Sequence, residues 1–384
     1  DRNRNVLVAV ASAISSHSRA PVLPPAAVDT ESWELRSEAE RLSANIAAIK
    51  VLGPWLNDPK SSKIFDDSER RIMRRYTGFG GVSIRRAAAE LPTEWLPEKR
   101  GLIHEYYTPE KVANSIAESL LPFRVELAQQ DGTIKALEPS AGIGRLIHAF
   151  DPQAWPNIKW TAIEYSRISS KLLAAIRPDV NVIGSSFEEF VVDNKHLFGT
   201  YDLVVSNPPY GIRGRQIVVD REQGYKETRA YAYQMRRGLD FLRPNGIGIF
   251  LIPSGFMTGT SPALRGLRER VLQRAHLMTA FRLPSETEDG KSLFPGALLV
   301  TDLVFLRSRG GEVKRVPEAD RYILEGQFFK ASPSNVLGRE VGAEGDDDEQ
   351  TRAPRFGYQV RGTFTSLPPI AERDNCRDCV VTPQ

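Results

Sequence analysis

The chain has 384 residues, 41% hydrophobic and 26% charged, enough for one large domain with an extension or for two domains. No apolar run approaches the ~20 residues that cross a bilayer, which excludes a helical membrane protein. Net charge is only +3, and two cysteines (Cys376, Cys379) and five scattered histidines give no metal-ligand spacing, so a metal-free protein of a reducing cytoplasm is expected.

Residues 1–30 are rich in Ala, Pro and Ser and are expected to be loosely ordered. Their opening, "DRNRNVLVAVASAISSHSRAP", is only weakly like a leader and lacks Met, which reads as the start of a fragment. A helical region is expected over 31–100. From Glu31 the apolar positions Leu35, Ala39, Leu42, Ile46 and Ile49 recur at helical spacing, and "DDSERRIMRRY" (66–76) reads as a second helix with acids at its start. "YTGFGGVSI" (76–84) carries three glycines in four positions and reads as a tight helix-to-helix connection.

After Gly101 the pattern changes to alternating strands and helices. "KVANSIAESLL" is an amphipathic helix opened by Thr108 as N-cap and Pro109 in the first turn. Short strands follow at 133–139, 159–165, 180–186, 201–207 and 247–253, separated by helices near 144–150, 166–177, 187–197 and 228–243. A helix near 262–273 leads to strands at 277–284 and 296–308, joined by little more than a loop and so expected to form an antiparallel hairpin. Five parallel-type strands and such a hairpin predict a doubly wound α/β domain over 101–310. Residues 311–384 form an extension with an acidic run, "EGDDDE" (344–349).

No GxxxxGK[ST] occurs, so a P-loop ATPase is excluded within this chain. Residues 212–243 hold eight Arg or Lys against four acids, and 262–275 add Arg265, Arg268, Arg270 and Arg274 with one acid. That pattern fits either a nucleic-acid surface or solvated helix faces.

The first strand-to-helix turn is "LEPSAGIGRL" (137–146), where Gly142 and Gly144 permit close backbone approach to a ligand. Ile147 stands where a dinucleotide fingerprint has its third glycine, which argues against NAD and leaves a nucleoside without a pyrophosphate. Glu164, at the tip of the next strand, is placed to accept from two ribose hydroxyls. The strand "YDLVVS" ends on Asn207-Pro208-Pro209-Tyr210-Gly211, at the sheet edge where doubly wound folds bind ligands. Two prolines stop any regular structure there. The amide oxygen of Asn207 and the carbonyl of Pro208 can then grip both hydrogens of a planar –NH2, while Tyr210 lies against the flat group that carries it.

"NPPY" downstream of "EPSAGIG" resembles motifs IV and I of the amino-group S-adenosylmethionine methyltransferases, especially the N6-adenine DNA methyltransferases. "EYYTPEKVANSI" (105–116) is similar to their motif X in the γ arrangement, "AIEYS" to motif II, and "SSFEEF" (185–190) sits at motif III. "GIGIFLIPSGFMTG" and "SLFPGALLVTDLVFLRS" resemble motifs VI and VIII. "YTGFGG", "FRLPSE", "TDLVFL" and "ILEGQFF…NVLG" are further similar to the methylase portion of large phage and mobile-element methylase–helicase proteins.

This resemblance implies a Rossmann-like methyltransferase fold: a seven-stranded, mostly parallel sheet with a terminal antiparallel hairpin, plus the N-terminal helical extension. It implies S-adenosyl-L-methionine as cofactor, DNA as partner, and a helicase or a restriction or defence subunit alongside. By the same resemblance Tyr107 and Thr108 touch the methionine end of the cofactor, Glu138, Pro139, Ser140, Ala141, Gly142 and Gly144 line it, and Glu164 holds the ribose. One of Ser186, Phe187 and Glu188 reads its adenine. Asn207, Pro208, Pro209 and Tyr210 form the catalytic motif, with Asn207 also bordering the cofactor. The target base lies between Tyr210 and Phe294, and Arg213 and Arg215 either hold DNA phosphate or are solvent-exposed loop charges. Two rivals stand beside DNA adenine methylation: a glutamine side chain or ribosomal RNA as acceptor, and a DNA-binding module without turnover.

Overall fold

The computed structural model describes residues 37–97, 106–295, 297–342 and 357–370. The N-terminal stretch 1–30, the acidic run 344–349 and the Cys376/Cys379 pair lie outside the described residues.

Seven strands make one sheet: β1 (Ile134–Glu138), β2 (Ile158–Ile163), β3 (Asn181–Ile183), β4 (Tyr201–Ser206), β5 (Leu242–Pro253), β6 (Ala275–Arg282) and β7 (Thr301–Ser308). Their order is β3-β2-β1-β4-β5-β7-β6. The first five pair in parallel, and β7 runs antiparallel between β5 and β6. Strands β4, β6 and β7 are buried along their whole length, as continuous apolar runs covered on both faces must be. This is the Rossmann-like methyltransferase sheet, with the chain reversing between β1 and β4 to open a crevice at their carboxyl ends.

The main helices are α1 (Glu38–Asn57), α2 (Asp67–Arg74), α3 (Glu110–Ser119), α4 (Arg145–His148), α5 (Arg167–Ile176), α6 (Phe187–Asp193), α7 (Ala230–Phe241) and α8 (Pro262–Leu272). Ser37 with Glu40 caps α1, Asp66 with Glu69 caps α2, and Ser186 with Glu189 caps α6, each as a reciprocal capping box. Leu42, Ile46, Ile49 and Leu52 of α1 share a core with Ile168, Leu172 and Ile176 of α5, so the N-terminal helices are packed onto the sheet domain. None of the described helices is long and apolar enough to cross a membrane.

Several boundaries differ from the expected ones. Helix α1 continues through Pro54 to Asn57, and Trp55 Nε1 donates to Lys63 O beyond its end. Residues 297–300 are not strand; β7 starts at Thr301, and Leu298 is 61% exposed. Thr108 is not the N-cap of α3. Pro109 occupies that position without a side-chain cap, because the Thr108 hydroxyl is turned to Asn207.

Beyond β7, β8 (Arg339–Val341) pairs with β9 (Gln359–Arg361), and Val360 exchanges hydrogen bonds with Ser285. Phe364 then enters the core shared by α3 and the sheet, and Leu367 N donates to Ser115 Oγ of α3.

Candidate active site

The glycine turn after β1 sits at the centre of the crevice. Gly142 (φ 56°) and Gly144 (φ 83°) both occupy the left-handed region. A Cβ on Gly142 would lie 2.1 Å from Tyr107 Cε1, so only glycine lets the Tyr107 ring pack on this turn. Tyr107 Oη lies 3.1 Å from Ser169 Oγ of α5, which fixes the ring between the segment before α3 and the turn. Glu164, just after β2, accepts from Gly142 N at 2.7 Å and from Ser166 N at 2.6 Å. Both carboxylate oxygens are thus held by backbone donors, which fixes the side chain beside the glycine turn.

Glu138 ends β1 and is buried. Its Oε2 is shut away from solvent and has no hydrogen-bond partner among the described residues. Burial, helped by the charge of Glu164, pushes its carboxyl well above the usual carboxylate range. A buried acid without a donor is a group that a cationic ligand would relieve. Pro139 and Ala141 flank Ser140 in the turn, whose hydroxyl lies 3.2 Å from Asn207 O and 3.1 Å from Gln234 Oε1. That ties the β1 turn to the end of β4. Gln234, a buried residue of α7, escaped the sequence reading; the signal was a polar residue on the same helix face as apolar neighbours, opposite the lone Ser206 of an apolar strand.

At the end of β4 the Asn207 side chain is held by its nitrogen. Nδ2 donates to Thr108 Oγ1 at 3.2 Å and approaches Tyr106 O at 3.4 Å. A backbone carbonyl only accepts, so the atom facing Tyr106 must be the amide nitrogen. Among the described residues no hydrogen bond ends on Asn207 Oδ1 or on the Pro208 carbonyl oxygen. The Asn207 amide is thus fixed, and both acceptors are unused among the described residues. Pro209 follows, and Tyr210 Oη donates to Leu251 O at 3.1 Å, while its ring meets Tyr231 edge-on. Burial and nearby Asp302 push the phenol up, so Tyr210 stays neutral. Phe294 is buried in the core beside α3 and lines a small cavity with Tyr106, Tyr107 and Thr108.

The three residues at the third motif have different employments. Ser186 caps α6, and Phe187 packs in the core against Phe190, Tyr233 and Phe241. Glu188 accepts from Arg213 Nε at 2.9 Å through Oε1, and no hydrogen bond ends on its Oε2 among the described residues.

Arg213 is a correction to the phosphate-holding role. Its guanidinium is buried, stacks 3.6 Å over the Tyr233 ring, and donates to Glu188 and to the carbonyls of Tyr225 and Glu227. The ring, the carboxylate and the carbonyls together draw it inward. Arg215 is exposed.

The basic segments are corrected in the same way. Arg237 binds Asp220, Glu222 and Asp240, Arg236 binds Glu227, Arg243 binds Asp202 and Arg274 binds Asp240. Arg268 is buried among carbonyls of Phe256, Gly259 and Leu324. Four of the twelve counted cations, Arg213, Arg236, Arg237 and Arg268, are buried.

The sequence profile described as Eco57I restriction-modification methylase matches residues 146–287, from α4 to just beyond β6. That stretch, under half of the chain, is similar to the methylases of restriction-modification systems. A curated relative of this methylase-like chain, Defense against restriction protein B of Escherichia phage P1, is 28% identical over 316 residues. The match spans 82% of this chain and 12% of that protein's length. Among solved structures, the type I restriction-modification methyltransferase subunit of Streptococcus thermophilus is 14% identical with a TM-score of 0.44, over 70% of this chain and 63% of that one. The type I restriction enzyme EcoKI M protein is 15% identical with a TM-score of 0.43, over 73% and 66%. At such identities the likeness concerns the fold alone.

Proposed function

We propose that this chain transfers a methyl group from S-adenosyl-L-methionine to the N6 amine of an adenine flipped out of DNA. The observation that carries the reading is the pair of unused acceptors at the end of β4, Asn207 Oδ1 and the Pro208 carbonyl, with the Asn207 nitrogen pinned behind them.

The residues around the glycine turn suit the cofactor. Glu138 offers a buried, unpartnered carboxyl for the ammonium of the methionine end, and Gly142 presents a surface no side chain obstructs except Tyr107. Glu164, an acceptor fixed beside the glycine turn, suits the ribose hydroxyls. Glu188 Oε2 is the remaining acceptor at the third motif for the adenine amine. S-adenosyl-L-methionine, when bound, supplies an electrophilic methyl on a sulfonium.

The chain's own part is to make a poor nucleophile better. The N6 lone pair of adenine is delocalised into its ring. Accepting both N–H bonds at Asn207 and Pro208 biases that nitrogen toward a tetrahedral geometry and directs its electrons out of the ring plane. The rest is positioning and electrostatic support, and the proton leaves afterwards without a strong base. Flipping the base costs a few kcal/mol, offset by stacking of ~1–3 kcal/mol on an aromatic ring such as Tyr210.

The phage relative is named for defence against restriction, and methylating DNA suits such a setting, in which this chain is one part of a longer protein or works beside a helicase or restriction subunit. A second reading, DNA binding without turnover, has one observation in its favour: Ser186, Phe187 and one oxygen of Glu188 are all engaged internally. Incubation with methyl-tritiated donor and duplex DNA, ribosomal RNA or protein, followed by hydrolysis, separates these possibilities. Label in N6-methyladenine of DNA is the expected result. Label in RNA or glutamine moves the acceptor, and no label supports the binding module.

A further inference from the structure

The loop 76–81 has no part in the chemistry above, yet α1 holds it by two polar side chains one turn apart. Asn45, fully buried, donates to Gly78 O at 2.7 Å and accepts from Thr77 N at 2.8 Å. Arg41 donates through Nη2 to Gly80 O at 2.7 Å and through Nε to Thr77 Oγ1 at 3.3 Å. These bonds lay the loop beside the Tyr106–Thr108 segment, where Arg41, Thr77, Tyr107, Thr108 and Phe294 line one cavity of about 30 Å³. About 10–15 Å³ measured this way admits a water, so the space suits a small polar group and no nucleoside.

Arg41 is 5% exposed and, among the described residues, is in no ion pair, Glu38 one turn earlier acting on it only at longer range, and makes no hydrogen bond at Nη1. Other buried guanidiniums differ. Arg213, Arg237 and Arg282 each have an acid, and every nitrogen of Arg268 reaches a carbonyl. Nη1 is not shut off from solvent, so water serves it in the free chain and an anion entering the cavity can take that water's place. Arg145 is a second guanidinium in the cavity's lining, and Tyr106, Tyr107 and Thr108 in it belong to the segment that pins Asn207.

We propose that Arg41, posed by the loop 76–81, pairs with the carboxylate at the methionine end of the methyl donor. This rests on the proposed use of S-adenosyl-L-methionine and adds a specificity residue from outside the sheet domain. The small space favours a terminal carboxylate over a nucleic-acid phosphate, which would carry a polymer with it.

The test is calorimetric binding of S-adenosyl-L-homocysteine and of its decarboxylated analogue, which lacks only that carboxylate. Wild type should prefer the complete ligand by about 30-fold or more, the usual scale for a buried charge pair. Arg41→Met should lose that preference while holding the analogue within about threefold of wild type, and Arg41→Lys should fall between. If Arg41→Met does not fold, Arg41→Lys carries the same comparison. A preference that survives substitution, equal loss on both ligands, or no preference in wild type overturns the assignment and leaves the methyltransfer reading standing. A wild-type chain that binds neither ligand overturns that reading itself.

Discussion

The side chain of Asn207 is oriented by what it donates, not by what it accepts. Tyr106 O and Thr108 Oγ1 take its amide hydrogens, and the oxygen is left for a ligand. The sequence reading placed Asn207, Pro208 and Tyr210 at the sheet edge from a strand that stops on prolines. It could not give the anchor, because Thr108 also reads as an ordinary helix cap and nothing local to 108 points to residue 207. Glu138 is a second residue whose state follows from its surroundings. Its carboxyl is raised, so the folded chain holds a proton there that the unfolded chain releases, and folding stability from this group falls as pH rises above the unfolded value of about 4.5. Glu138→Gln should therefore raise the ligand-free melting temperature at neutral pH, by a few degrees, with the gain vanishing toward pH 4.5. The same variant should weaken S-adenosyl-L-homocysteine binding about tenfold and abolish the proton release that calorimetry in buffers of different ionisation heat should detect for wild type. Melting curves that coincide at all pH values would remove the raised carboxyl from the account.

At the scale of elements, most strands and helices of the sheet domain were legible because the strands carry apolar runs and α5, α6 and α8 open on a capping serine. Boundaries failed where tertiary contacts outweighed local preference, as at Pro54 inside α1 and over 297–300. Charge was the least legible quantity. Counting arginines cannot distinguish a phosphate contact from a buried pair, since the acids they meet, such as Asp202 and Glu188, come from distant segments. Arg213 and Arg215, two residues apart, make the distinction measurable. Arg213→Ala should destabilise the chain by about 3–5 kcal/mol, the cost of leaving Glu188 buried alone, and should not alter the salt slope of DNA binding by folded protein. Arg215→Ala should fold normally and reduce that slope by about one if it meets phosphate. Urea melts and binding titrations at several salt concentrations read both; a slope change in Arg213→Ala alone would reverse the assignment.

Over the whole molecule, the sheet brings the ends of β1, β2 and β4 together, so that Glu164 accepts from Gly142 N and Ser140 reaches Asn207. Only the order of strands does this, and that order follows from the alternation in the sequence. The N-terminal helices are less legible in role, since Arg41 and Asn45 lie in an apolar helix pattern whose partner loop is over thirty residues away. Packing also sets how the fold meets acid. His276, buried in β6, is pulled down to about 4 by burial and then by Arg309, and burial with Arg177 lowers His148 as well. Unfolded histidine binds its proton near pH 6.5, so the stability these groups contribute is complete above 6.5 and is lost as pH falls toward 4. Denaturation midpoints across that window should decline in wild type and decline less in His276→Gln; parallel curves would contradict the assignment.

The most direct measurement is single-turnover methyl transfer to duplex DNA at saturating labelled donor, comparing wild type with Asn207→Ala and following N6-methyladenine by mass spectrometry. The expected result is formation of N6-methyladenine by wild type and a loss of at least about a hundredfold in Asn207→Ala, with S-adenosyl-L-homocysteine affinity kept within about threefold. Undiminished transfer by Asn207→Ala, or label on any group other than the adenine amine, would contradict the two-acceptor site.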